Sequence, residues 1–357
     1  MESSNNIYQT ERETVVSRSC NMAGSGPKSL NQDSYQFLTH THEGKNYMIA
    51  VMCDGHGTNG EWFAIKTAEE LSRIILTDLD KILENPTERL EIIFTEFNQY
   101  LKAEGTNYQG GTTATVWIKT KGREIVANVG DCDVYTRLHR KTYIGEINAD
   151  GGKISCRRDG CEIVCGDDDD DDDELTEVFK LSQDHSGESD KEVLRILEHN
   201  NHRFSFIYGM SSVFSRMVNV CEPDEFGLLP KDENRIKRRP YQNIPGIYAN
   251  NVDGTIATYF YDKSSNKKLN MGRSLGDFTL GFISDCPSVC ELIYPEDMGS
   301  TTIIGSDGYF NCITKQQMKT ELTLSAQQVC DNSVVFVENT FGCKNADNMT
   351  VLSITIV

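Results

Sequence analysis

Apolar and polar positions change period several times along the chain, and each change marks a predicted element. Positions 45–53 are almost continuously apolar and run into Asp54-Gly55, the pattern of a buried strand closed by a turn. Trp62, Ile65, Ala68, Leu71, Ile75, Leu79 and Ile82 then recur at helical spacing, which predicts a helix with one apolar face. Thr58 and Glu61 are spaced as a capping box at its start. Pro86-Thr87 opens a second predicted helix, with Ile93, Phe97 and Leu101 on one face. From there the period shortens. Positions 112–119, 124–129 and 134–138 are β-branched runs separated by Gly and Asp, which predicts antiparallel strands joined by tight turns. Two more strands are predicted at 301–305 and 349–357, with helical stretches between them. Helices that bracket blocks of hairpin strands predict a layered α+β fold and argue against a parallel βαβ wind.

Two segments break this rhythm and read as insertions. Positions 167–174 are an unbroken acidic run, which self-repels and predicts a solvated loop. A calcium loop is excluded there, because the run lacks the Gly and spaced Glu of an EF-hand. Positions 199–268 show little periodicity and include the charged stretch 231–239, so they predict a flap or an exposed elaboration.

Composition narrows the classes. The chain has 357 residues, 38% hydrophobic and 25% charged, with a formal charge of −19. So negative a field repels nucleic acid and anionic membrane and favours divalent cations and basic partners. The first residues are polar and mixed in charge, without the apolar run of a secretory signal, and no apolar stretch is long enough to span a bilayer. The twelve cysteines are irregularly spread, which predicts reduced thiols and an intracellular protein, cytoplasmic or nuclear. Cys156, Cys161 and Cys165 cluster, but they lack a CxxC pair and a clear fourth ligand for zinc.

The candidate chemistry sits at strand ends. Asp54-Gly55-His56-Gly57 follows a buried strand and precedes a helix, which suits a projecting carboxylate and a group able to give a proton. The same stretch, Gly55 to Gly60, also fits GxGxxG, a dinucleotide fingerprint. That rival requires an acidic residue at the end of a second strand, and its candidates Asp78 and Asp80 fall in the predicted helix. Ser306-Asp307-Gly308 ends an apolar run and Asp347-Asn348 begins the last strand. One Asp at a turn is ordinarily a turn former. Several at strand ends form an oxygen-ligand set of the kind magnesium or manganese prefers.

In these residues and the motifs around them, the chain resembles the metal-dependent (type 2C) serine/threonine protein phosphatases. Asn31-Gln32-Asp33 matches the family's early acidic motif and Asp54-Gly55-His56-Gly57 its DGHG signature. Gly110-Gly111-Thr112-Thr113-Ala114, Ala127-Asn128-Val129-Gly130-Asp131 and Leu181-Ser182-Gln183-Asp184-His185 resemble its central motifs. Gly272-Arg273-Ser274-Leu275-Gly276-Asp277, Ser306-Asp307-Gly308 and Asp347-Asn348-Met349-Thr350 resemble its closing ones, all in family order.

The resemblance implies one phosphatase domain over 1–357, with an ordered core from about residue 12, folded as a four-layer α-β-β-α sandwich with two central, mainly antiparallel sheets. It implies two Mg2+ or Mn2+ ions. Asp54 would bridge them, the Gly55 carbonyl would bind one of them, Asp307 and Asp347 would complete the second site, and Asp33 would be a further metal-site residue. A bridging water would attack phosphorus, and His56 would protonate the leaving oxygen. The implied partner is a phosphoprotein, and the implied state is a monomer. Lys28 stands where the family often has a phosphate-binding Arg, and would act as a point charge without the bidentate fork. Three further departures matter. Gln32 replaces a Glu, Thr58 replaces a Gly, and Asn311 replaces the Asp that would share a third metal with Asp184, so a third ion is doubtful. The alternative reading is a pseudophosphatase that binds phosphoproteins or a regulator without turnover.

Overall fold

The computed structural model describes residues 2–9, 14–22, 30–139, 155–157, 162–164, 178–199, 204–208, 258–262, 267–296, 298–341 and 347–356. Lys28, the acidic run 167–174, the charged stretch 231–239 and the side chains of Cys156, Cys161 and Cys165 lie outside the described set. The chain begins with β1 (Glu2–Gln9), β2 (Thr14–Met22), β3 (Asp33–His42) and β4 (Lys45–His56). Three helices follow, α1 (Gly60–Thr77), α2 (Leu79–Glu84) and α3 (Pro86–Glu104). Next come β5 (Gly111–Thr112), β6 (Ala114–Thr120), β7 (Arg123–Val129), β8 (Asp133–His139), β9 (Ser155–Arg157), β10 (Glu162–Val164) and β11 (Val178–Lys180). After α4 (Asp190–His199) stand β12 (Phe204–Tyr208), β13 (Thr258–Asp262), β14 (Lys267–Leu269), β15 (Leu275–Gly276), β16 (Ser288–Ile293) and β17 (Gly299–Gly305). The chain closes with α5 (Asp307–Phe310), α6 (Lys315–Glu321), α7 (Ala326–Phe341) and β18 (Met349–Ile356).

Among the described residues the strands form two large sheets, β1-β2-β18-β17-β8-β11-β10 and β15-β5-β4-β6-β7-β16-β9, with β3 paired to β4 beside the second. A small third sheet, β12-β13-β14, comes from the 199–268 region and its border, and its Phe260 ring meets Phe282 at 5.8 Å. Every strand ladder is antiparallel.

Side-chain alternation in β4 builds the layers. Tyr47, Ile49, Val51 and Cys53 face one way, into a core with Phe63, Leu71, Ile93 and Phe97 of α1 and α3. Met48, Ala50 and Met52 face the other way, into a core shared with Trp117, Ile304, Leu352 and Ile354 between the two sheets. Beyond the second sheet, Ile303, Met349 and Val351 pack with Tyr309, Met318, Leu322 and Val329 of the C-terminal helices. Three apolar layers therefore separate four layers of structure, and the α-β-β-α sandwich expected from the resemblance is the observed fold.

One polar cluster crosses the central core. The Glu124 carboxylate, fully buried, accepts from Lys119 Nζ (3.0 Å), Trp117 Nε1 (2.9 Å), Thr136 Oγ1 (2.8 Å) and Tyr294 OH (2.8 Å). Such a pair is tolerable in an apolar layer only because its donors and acceptors are met.

Several predicted elements are corrected. The helix expected to run from Trp62 to Ile82 breaks at Asp78, which takes contacts from Lys81 and Arg89 and separates α1 from α2. Ile65, expected on the apolar face, is 48% exposed, and Phe63 and Ala64 are buried in its place. The capping box at Thr58 does not form; Asn59 is the N-cap and makes no side-chain capping bond. The strand at 134–138 does not pair with its predecessor. β7 belongs to one sheet and β8 to the other, so Gly130-Asp131-Cys132 is a crossover between sheets. The described cysteines Cys53, Cys132, Cys286, Cys290, Cys312 and Cys330 are free thiols. Among the described residues no helix is long and apolar enough to cross a membrane.

Candidate active site

The acidic residues lie where both large sheets end on the same side. Asp33 opens β3 and is the register partner of Asp54 in β4. The Gly55 N–H donates to the Gln32 carbonyl at 3.1 Å. A Cβ on Gly55 would stand 2.3 Å from the Gly60 carbonyl oxygen, so the turn closes only around glycine. Antiparallel partners flank β4 on every side, which overturns the dinucleotide reading of Gly55 to Gly60, since that motif needs a parallel βαβ unit.

The second sheet reaches the same place through β17 and β18. Ser306 follows the first and stands at the N-cap of α5, which Asp307 opens, while Asp347 and Asn348 lead into the second. Ser306 Oγ donates to Asp33 Oδ2 at 2.8 Å and accepts from the Thr350 N–H at 3.0 Å. Asn348 Oδ1 accepts from the Gln32 N–H at 2.9 Å. These bonds lace the two sheets together beside the carboxylates.

Electrostatics show which acids share the space. Burial raises the Asp54 carboxyl well above its usual value, and Asp33, Asp307, Asp347 and Asp131 push it further. Burial is also the main cause that takes Asp33 to about 7, with Asp307 and Asp347 adding to it against the hydrogen bonds from Ser306 and Thr350. Asp131 is raised by burial, then by Asp307 and Asp184. Asp184 is raised by burial, with Lys180 opposing; its oxygens accept from the Ser186 N–H (2.7 Å) and hydroxyl (2.8 Å). Asp33, Asp54, Asp307 and Asp347 thus form one field, and Asp184 joins it through Asp131.

Asp33 Oδ1 and Asp131 Oδ1 are buried with no hydrogen-bond partner among the described residues. Buried carboxylate oxygens that lack donors, in an all-oxygen set, match the chemistry of a hard divalent cation. Among the described residues, however, no three His, Cys, Asp or Glu side chains are arranged to hold a metal ion as they stand. The donor chemistry fits, and the cage is not closed. Gln32 turns away from the aspartates, its Nε2 donating to the Gly57 carbonyl (2.9 Å) and Glu61 (3.2 Å), whereas Asn311 Nδ2 donates to Asp307 Oδ2 within the cluster (3.4 Å).

His56 lies at the end of β4. Its Nε2 is 2.6 Å from Asp277 Oδ2, which also accepts from Ser274 Oγ at 2.7 Å. Asp131 and Asp277 both lie inside motifs of the sequence, yet nothing in the sequence assigns either of them a role. The signal common to both is a glycine immediately before the acid, Gly130 at φ 101° and Gly276 at φ 93°, each turning the chain at a strand end.

Comparison with known proteins gives the fold a context. No family profile matches the chain, and no curated protein matches it. Solved structures do. The serine-threonine phosphatase 2C of Toxoplasma gondii superposes with a TM-score of 0.60 at 11% identity, covering 100% of this chain and 99% of that one. A sex-determining protein of C. elegans superposes with a TM-score of 0.53 at 13% identity, covering 98% of this chain and 66% of that one. At these identities the likeness is one of fold, and it is the fold that the sequence motifs implied.

Proposed function

We propose that this chain hydrolyses phosphoserine and phosphothreonine in proteins, using two Mg2+ or Mn2+ ions held by Asp33, Asp54, the Gly55 carbonyl, Asp307 and Asp347. The observation that carries the reading is the convergence of these aspartates, from the ends of both sheets, into one electrostatic field, in which Asp33 Oδ1 and the neighbouring Asp131 Oδ1 are buried without a hydrogen-bond partner among the described residues. Bound there, such ions supply an acidified water and a positive seat for phosphate oxygens. The protein's own part is to hold the ligands. Ser306 fixes one oxygen of Asp33, and Thr113 Oγ1 accepts from the Asp54 N–H at 2.8 Å. Asp131 belongs in the ligand field by the same electrostatics, with Asp307 and Asp184 both acting on its carboxyl. His56 is the group that gives a proton to the departing side-chain oxygen. Lys28 is the cation the sequence offers to the phosphate.

A second reading, binding without turnover, draws on two observations. The carboxylates do not close into a cage, and the Asn311 amide rests against Asp307 where an acid would strengthen the site. Manganese-dependent release of phosphate from a phosphothreonine peptide separates the two. The phosphatase reading expects turnover in the wild type and, for Asp307→Asn, a fall of about a hundredfold or more, the several kcal/mol of charge stabilisation a metal site supplies. A folded wild type that binds manganese and releases no phosphate would leave the binding-only reading. Turnover that survives Asp307→Asn would overturn the site assignment.

A further inference from the structure

The pair formed by His56 and Asp277 is built with unusual care. Register sets the two in one row: His56 of β4 pairs with Gly111 of β5, and Gly111 pairs with Gly276 of β15. Asp277 is the next residue, and its N–H donates to the Gly110 carbonyl at 2.9 Å. Its carboxylate returns over the bare glycine between the outer strands. A Cβ on Gly111 would stand 2.4 Å from Asp277 Oδ2, so no larger residue leaves that path open. Asp277 itself sits at φ 50°, in the left-handed region that side chains other than Asn and Asp rarely enter. Conformations of that kind persist where the surroundings enforce them, and they gather at functional sites.

The same oxygen of Asp277 serves both neighbours. It takes the Ser274 hydroxyl at 2.7 Å and faces His56 Nε2 at 2.6 Å. Although burial pushes the Asp277 carboxyl up, His56 and Ser274 more than offset it and hold it below its usual range. It is therefore ionised and accepts the Nε2 proton. His56 Nδ1 is buried and has no hydrogen-bond partner among the described residues. A ring held at one nitrogen and free at the other has its orientation and its reacting atom chosen together.

We propose that Asp277, aimed by Ser274 and given room by Gly111, is a positioning residue for His56 that directs Nδ1 to the departing oxygen of the phosphorylated side chain. The inference rests on the phosphatase reading above. In the step it serves, a water oxygen bonds to phosphorus and the bond from phosphorus to the serine or threonine oxygen breaks. The Nδ1 proton of the protonated ring passes to that oxygen, leaving neutral imidazole whose Nε2–H still donates to the Asp277 carboxylate. The proton released by the attacking water returns through solvent to the ring. A poor leaving group needs that proton and a good one does not, so the role of Asp277 depends on the substrate.

The test compares a phosphothreonine peptide, whose alkoxide must be protonated, with p-nitrophenyl phosphate, whose phenolate leaves unaided. Wild type, Asp277→Asn and Ser274→Ala are assayed with manganese on both, with thermal melts and manganese binding by calorimetry alongside. The expected result is a kcat on peptide lower by about a hundredfold for Asp277→Asn, the usual scale of a lost proton-transfer contribution. The fall on p-nitrophenyl phosphate should be at least about tenfold smaller, with manganese affinity retained. Ser274→Ala should show the same split to a lesser degree, and it carries the comparison if Asp277→Asn does not fold. Equal losses on both substrates, or loss of manganese binding in step with activity, would overturn the role given to Asp277 while leaving the phosphatase reading intact. A wild type inert on both substrates would sink that reading, and this role with it.

Discussion

Asp33 offers a direct measurement of what the acidic field costs the protein without metal. Its carboxyl is raised from 3.8 to about 7, chiefly by burial and then by the neighbouring Asp307 and Asp347. In metal-free protein below about pH 4, folded and unfolded chains both hold the proton and Asp33 costs nothing. As pH rises, the unfolded chain releases its proton while the folded one keeps it, so stability falls. The loss runs at about 1.4 kcal/mol per pH unit until the folded carboxyl also ionises near neutrality. From pH 5 to pH 7 that amounts to roughly 2 kcal/mol, a sizeable part of the about 5–15 kcal/mol that typically holds a domain together. Asp33→Asn removes the ionisation and keeps an oxygen for the Ser306 hydroxyl. His185 and His139, both lowered first of all by burial, act with the opposite sign below their usual 6.5, and they cancel because both proteins carry them. Urea melts in EDTA across pH 5 to 8 should therefore show Asp33→Asn gaining on wild type up to neutrality, with the gap level beyond. Saturating manganese should reverse the order, because a bound cation favours the ionised carboxylate. A gap that does not change with pH, or that widens in favour of wild type, would refute the electrostatic account of the site.

Two further outcomes are expected. Asn311→Asp replaces an amide that donates to Asp307 with a second carboxylate, so calorimetry should show manganese binding tightened by about tenfold, or an added weak site; unchanged binding would place Asn311 outside the metal's reach. Glu124→Leu strips Lys119, Trp117, Thr136 and Tyr294 of their shared acceptor and leaves a buried ammonium unpaired, so urea melts should show a loss of about 3–5 kcal/mol. A loss below about 1 kcal/mol would mean that water reaches this layer.

The sandwich was legible because its layers are written in the period of the apolar positions. Alternation around Tyr47 to Cys53 serves two cores at once, which is why that strand reads as continuously apolar. What periodicity does not carry is the choice of partner. The run at 134–138 looks like the next strand of a hairpin, yet Gly130, at φ 101°, turns the chain across to the other sheet. Nor does periodicity register a break such as Asp78, where contacts with Lys81 and Arg89 outweigh continuity of the apolar face.

The site was legible in a different way, through residues that share motifs without sharing neighbourhood in sequence. Asp54 and Asp307 announce themselves as acids at strand ends. Asp277 does not, since its partner His56 is 221 residues away and the pairing depends on a row of register, His56 to Gly111 to Gly276. The glycines of that row look in the sequence like ordinary turn formers. In the fold they are the space through which one carboxylate reaches one imidazole. The same holds for Gly308, where a Cβ would stand 2.0 Å from the Asn348 carbonyl oxygen, so that β18 approaches the turn carrying Asp307 closely enough for Thr350 and Ser306 to bind each other. Acids at this end of the sandwich are cheap to place and costly to keep, because burial and mutual repulsion both favour the neutral form. The glycines and the Ser306, Thr350 and Asn348 bonds hold them in place against that cost.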